Sequence, residues 1–128
     1  MSKKFMRNDN NLLIAIIGDE ETVTGFLLAG IGERSETTKN FFIITKEERS
    51  QIEDIFNSLI IRKDIGIILI SQHIAEMIRE SLDNYTEIIP TVLEIPSKNF
   101  PYSIEKDSLM MRAIRRTYGD NYSEDLFK

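Results

Sequence analysis

Four short runs of nearly unbroken apolar residues punctuate the chain: Leu12–Gly18, Phe41–Thr45, Ile65–Ser71 and Thr91–Ile95. Continuous rather than alternating runs of this length predict strands buried on both faces. Between them the spacing changes to that of a helix. Val23, Phe26, Leu27 and Ile31 share one face, then Ile52, Ile55, Phe56 and Leu59, then Ile74, Met77, Ile78 and Leu82. Charged residues occupy the opposite faces, as amphipathic helices require. Asp19, Glu20 and Glu21 stand where the first helix begins and suit its dipole, and Gly30 and Gly32 read as its end. Thr45 with Glu48 matches a capping box for the second helix. Pro90 and Pro96, which cannot extend a ladder, bracket the fourth strand.

Four apolar strands joined by three helical crossovers must pair in parallel. The predicted fold is therefore α/β, a small doubly wound parallel sheet of four strands with flanking helices, over residues 12–96. Residues 1–11 are polar and read as an N-terminal extension. Residues 97–128 break the pattern: a prolyl, polar linker is followed by "SLMMRAIRRTYG", a short helix with no fifth strand to feed. In it Met110, Ile114 and Tyr118 fall at i, i+4 and i+8 with Met111 beside them, and Arg112, Arg115 and Arg116 form a basic side. The helix either folds back on the sheet or acts as an arm that offers an apolar, arginine-flanked stripe to a partner.

Composition narrows the function. A chain of 128 residues can form a real core without staples. It has no Cys, which excludes disulfides and thiolate metal sites, and a single histidine, His73, which argues against a zinc site of histidines. The net charge of −5 argues against general nucleic-acid binding. Charge is unevenly spread. Residues 1–97 carry ten basic and sixteen acidic groups, a net −6, whereas residues 98–128 carry six and five, a net +1. No apolar run approaches the ~18 residues that span a bilayer, and Met1–Asn11 lacks the apolar centre of a signal peptide, so a soluble, intracellular protein is expected.

The stretch "IAIIGDEETVTGFLLAGIGE" raises two chemical alternatives, a phosphate cradle and an acidic metal site. A P-loop needs Gly-Lys-Ser/Thr, but Gly32 is followed by Glu33 and Arg34, and the glycines come after the helix rather than before it. A receiver-type phosphorylation site would need an acceptor aspartate at the end of the third strand, where Ser71 stands instead. Lys98 after the fourth strand does not replace it. The carboxylates are expected to cap the helix, and His73, with no nucleophile near it, to be a first-turn surface residue.

Taken together, "IGDEETVTGFLLAGIGE", "IEDIF", "DIGIILI", "IAEMIR", "IPTVLEIPSK" and "PYSIEKDSLMMRA" resemble, in family order, the F-subunit family of V-type (vacuolar) rotary ATPases in its eukaryotic form. The resemblance spans roughly residues 12–113. It implies a non-catalytic component of the central rotor stalk, without a cofactor. Such a component binds the D-subunit coiled coil of the stalk, helps couple ATP hydrolysis in the catalytic head to proton transport, and meets the cytoplasmic face of vacuolar or other endomembranes only through the complex. Met110, Met111, Arg112, Ile114, Arg115, Arg116 and Tyr118 of the arm are the expected contacts, with Glu33, Arg34, Ser35 and Glu36 of the polar loop 33–40 facing the rotor or head.

Overall fold

The computed structural model of the protein describes residues 12–32, 39–98 and 100–119. The N-terminal extension, the tail from residue 120 and the loop residues Glu33, Arg34, Ser35 and Glu36 lie outside the described residues. Strands β1 (Leu13–Gly18), β2 (Phe41–Ile43), β3 (Ile65–Ser71) and β4 (Thr91–Ile95) form one sheet in the order β2-β1-β3-β4. Every neighbouring pair is parallel. Helix α1 (Glu20–Leu28) joins β1 to β2, α2 (Arg49–Ile60) joins β2 to β3, and α3 (Gln72–Met77) with α4 (Arg79–Asn84) joins β3 to β4. A 3-10 turn, Ile104–Lys106, then leads to α5 (Ser108–Tyr118). The doubly wound sheet expected from the apolar runs is the one observed.

The central strands bury both faces, so side chains one residue apart enter different cores. Ile16 and Leu69 pack beneath Val23 of α1 on one face. Ala15, Ile17, Ile68 and Ile70 pack on the other, against Ile52, Phe56 and Leu59 of α2 and Ile74, Ile78 and Leu82 of the α3–α4 unit. Phe56, the largest fully buried side chain, meets Tyr85 edge-on at 5.9 Å.

Two local expectations need correction. The capping box does not form: β2 stops at Ile43, Ile44 is buried in the core, and α2 starts only at Arg49, with Glu48 as a cap that makes no side-chain bond. Seating Ile44, whose amide donates to the Gly18 carbonyl at 2.8 Å, leaves Thr45–Glu47 to turn the chain. The third helix is two short helices interrupted at buried Ile78, whose φ of −117° and ψ of 32° leave the helical region. Nothing in the residue pattern marks that break.

The end of α1 matches its glycines. After the cap residue Ala29, Gly30 takes a φ of 100°, its amide donates to Leu27 O and that of Ile31 donates to Phe26 O. This pair of reversed bonds satisfies the last helical carbonyls and seats Ile31 against Phe26. The glycines of this stretch therefore differ in kind. Gly32 has a φ of 121°, and an added Cβ would come within 2.1 Å of Leu27, whereas Gly25 is exposed in the helix interior with nothing within 4 Å of such an atom. Gly25→Ala is expected to stabilise the protein by up to about 1 kcal/mol, and Gly32→Ala to destabilise it by at least as much. Chemical denaturation of the two variants should move the midpoint in opposite directions.

Candidate partner-binding site

The chain's course reverses between β1 and β3, and a ligand cleft in such a sheet opens beyond the carboxyl ends of those strands. Here that place is an open acidic cleft lined by Asp19, Glu21, Glu47, His73 and Lys98, and its anion position is taken by one of the protein's own groups. The Asp19 carboxylate accepts from the Thr22 hydroxyl at 2.5 Å and the Thr22 amide at 3.4 Å, so it occupies the anion position at the start of α1. Partial burial alone would raise the Asp19 pKa, but the Thr22 bonds outweigh it and hold the group below its ordinary value. Gly18 leaves room for a neighbouring side chain rather than a phosphate: a Cβ there would sit 2.8 Å from the Ser71 hydroxyl. Among the described residues, no group of three or more His, Asp or Glu could hold a metal ion.

His73 is not the surface residue that its position in a first turn suggested. Its side chain is only 12% exposed, stacked on Phe100 with centroids 4.4 Å apart. Nδ1 lies 3.2 Å from Ser97 Oγ, and Nε2 lies 3.7 Å from Glu47. It fastens the linker to the domain. Lys98, beside it, pairs with Glu21 at 3.4 Å on an exposed surface.

The arm is docked through a polar hub centred on Glu94. This side chain points from β4 into the core-facing side, with only 2% of it exposed. Arg79 binds it with both guanidinium ends, at 2.6 and 3.0 Å, and Gln72 donates to it at 3.0 Å. Burial would lower the Arg79 pKa, yet the hydrogen bond and charge of Glu94 hold it above the usual value. Gln72 also clamps the linker backbone, accepting from Ser103 N at 2.6 Å and donating to Ser103 O at 2.7 Å. Arg79 reaches the Ser108 hydroxyl at 2.9 Å, and that hydroxyl donates to Asp83. Asp107 caps α5 by accepting from Met110 N at 3.1 Å and takes a 2.6 Å bond from Tyr102. Burial, then the bond to Asp107 and its charge, push the Tyr102 phenol well above its ordinary range.

The structure separates the arm residues that the pattern had grouped. Arg112 is committed inward, donating to the carbonyls of Tyr85 at 2.9 Å and Asp83 at 3.0 Å. Leu109 faces Leu82, Tyr85 and Val92 beside it. Met110 and Tyr118 are exposed, Met111 and Ile114 are half-buried, and Arg115 and Arg116 are exposed. Glu94, Gln72 and Arg79 escaped the sequence reading. One signal was present: a lone glutamate in an otherwise apolar strand, two residues after Val92 and so on the same face, implies a buried cationic partner.

The chain is similar to proteins of one kind. The family model of the ATP synthase (F/14-kDa) subunit matches residues 14–113. The V-type proton ATPase F-subunit of Vanderwaltozyma polyspora is 51% identical over 121 residues, covering 90% of this chain and all of its own length. The V-type proton ATPase F-subunit of Homo sapiens is 55% identical over 103 residues, 79% of this chain and 87% of its own. The crystal structure of the V-type ATP synthase F-subunit from Archaeoglobus fulgidus, 24% identical, aligns with a TM-score of 0.48 over 67% of this chain and 99% of that one.

Two variants test the geometry. Asp19→Ala is expected to cost about 1 kcal/mol at neutral pH. Because the folded-state pKa is depressed, that contribution exists above the unfolded value of about 3.9 and disappears as the pH falls through the folded one. Urea titrations of both proteins should therefore converge in acid. Arg79→Ala strands the buried Glu94 carboxylate and is expected to cost about 3–5 kcal/mol. Hydrogen exchange at the Met110 and Met111 amides should accelerate with it, because the hub also holds the start of α5.

Proposed function

Because the chain belongs to the ATP synthase (F/14-kDa) subunit family, we propose that it is a non-catalytic subunit of the central rotor stalk of a V-type proton-pumping rotary ATPase. In this reading it binds the D-subunit coiled coil and helps couple ATP hydrolysis in the catalytic head to proton transport. The similarity to V-type proton ATPase F-subunits over most of both chains supports the assignment to that complex. The observation that carries the partner-binding role is the arm. Its inner face, Leu109 and Arg112, is used to dock, so the stripe of Met110, Ile114 and Tyr118 remains at the outer side with Arg115 and Arg116 exposed beside it. An apolar stripe bordered by guanidinium groups suits a coiled coil that carries carboxylates. Met111, which lines the groove between the arm and α4, lies at the margin of that contact. Glu33, Arg34, Ser35 and Glu36 are assigned to the rotor or head by resemblance alone.

A non-catalytic role is supported by the start of α1, where the chain's own carboxylate takes the anion position and the side chains that hold phosphates are missing. No helix among the described residues is long and apolar enough to cross a membrane. The same reading assigns the protein to the cytoplasmic face of vacuolar or other endomembranes, held there by the other subunits of the stalk and head. Residues 12–96 would form the rigid body and residues 97–128 the linker and arm.

Native mass spectrometry after co-expression with a D-subunit partner is expected to show a one-to-one complex. Ile114→Asp should weaken that complex by about tenfold or more, by placing a charge in an apolar seam. The melting of the isolated chain should change little. Unchanged affinity together with a large loss of monomer stability would place Ile114 in the domain core and refute the arm as the contact.

A further inference from the structure

The described surface has two chemically different ends. The carboxyl end of the sheet is acidic, its cleft lined by Asp19, Glu20, Glu21 and Glu47 with Lys98 opposite. At the other end, where the strands begin and the helices finish, stand the four most exposed large aliphatic side chains of the described residues. They are Leu28 at 85%, Ile88 at 82%, Ile61 at 78% and Ile89 at 61%. Leu28 is the last residue of α1, Ile61 caps α2, and Ile88 and Ile89 lead into β4.

These positions share the end of the molecule where the strands begin, Leu28 on the face covered by α1 and Ile61 on the face covered by α2. Gly30 and Gly32, just beyond Leu28, line the same hollow as Leu12 and Asn40. Leu13 N donates to Asp64 O and Arg62 donates to Lys39 O, both at 2.7 Å, so the turn after Ile61 lies against the starts of β1 and β2. Ile60 shares a groove with Thr86 and Glu87, which connects the end of α2 to the isoleucine pair. Four strand starts spaced by about 4.8 Å span roughly 15 Å, enough to seat a helix about 10–12 Å wide. Single exposed aliphatics are ordinary, but a collection of the most exposed ones at one end marks an interaction surface.

Its charge selects the partner. Lys39 and Lys63 are exposed here, while Arg62 is neutralised by Asp64 at 2.7 Å. α5 runs beside α4 in the same direction, with Ser108 at Asp83 and Arg112 at Asp83 and Tyr85, and Arg115 faces the groove lined by Glu76, Arg79 and Asp83. Lys39 and Lys63 thus stand beside the aliphatics, against Glu87, on a chain of net charge −5. A second copy of the chain meeting this surface symmetrically would oppose the same cations.

We propose that the end where the four strands begin is a second docking surface, which receives an acidic amphipathic helix of a partner protein through Leu28, Ile61, Ile88 and Ile89, with Lys39 and Lys63 pairing to its carboxylates. The surface extends the stalk reading and rests on it, since it lies outside the Met110–Ile114–Tyr118 stripe.

The test titrates the full chain into a purified V-type ATPase head-and-stalk complex depleted of this component. It compares wild type, Leu28→Ser/Ile88→Ser/Ile89→Ser, Lys63→Glu and Ile114→Asp. The triple variant should lose about tenfold or more in affinity while its melting temperature stays within a degree or so of wild type. Lys63→Glu should lose severalfold, and the loss should shrink in high salt. A triple variant that binds like wild type while Ile114→Asp fails overturns this inference and leaves the arm reading standing. The reverse pattern overturns the arm reading and supports this surface. If wild type does not bind the complex, both fall. If the triple variant melts early, Lys63→Glu decides, and its unchanged affinity overturns the proposal. Sedimentation showing a wild-type dimer that the triple variant abolishes assigns the surface to a second copy and overturns it too.

Discussion

The two central strands have no face that can meet water. Ile16 and Leu69 point one way, Ile17, Ile68 and Ile70 the other, and all are nearly inaccessible. A sheet with such strands must be covered on both sides, which sends the helices to opposite faces and makes the chain reverse its course between β1 and β3. The polarity of the molecule follows. Helix starts gather at the carboxyl ends of the strands and bring Asp19, Glu20 and Glu21 with them, while helix ends gather at the other pole with Leu28 and Ile61. Charge at one end and exposed aliphatic surface at the other are consequences of the winding.

The same architecture in other proteins places phosphates at the reversal point. Here the space that a side chain at Gly18 would need is taken by Ser71, and the Thr22 amide turns to Asp19. The position that carries ligands in those proteins is used here to cap α1. Under the proposed function the partner is met away from the core, by the arm of eleven helical residues beyond the last strand.

How that arm is held is the least expected feature. A helix of three turns has little stability in water alone, and α5 offers the domain few apolar contacts. A buried carboxylate holds it instead: Glu94 gathers Arg79 and Gln72, which in turn fix Ser108 and Ser103. Directional bonds of this kind fix the arm's register while leaving Met110 and Tyr118 exposed. An apolar seam of equal strength would have covered the side chains of the proposed contact.

Much of this was legible in the residues. Apolar runs of strand length alternating with helical spacing dictate a parallel sheet wound on both faces, and Gly30 announces the end of α1, because these depend on periodicity and on backbone freedom that each residue carries with it. The stripe on α5 and its arginines were legible for the same reason. Long-range contacts were not. That Ile78 interrupts a helix, that His73 lies under Phe100, that Arg112 turns inward while Arg115 and Arg116 do not, and that Glu94 meets Arg79 all depend on groups far apart in the chain. Periodicity and residue type settle which elements form and which of their faces are apolar. Which polar groups pair across elements, and which apolar groups are left uncovered, is a tertiary outcome, because both depend on what lies opposite.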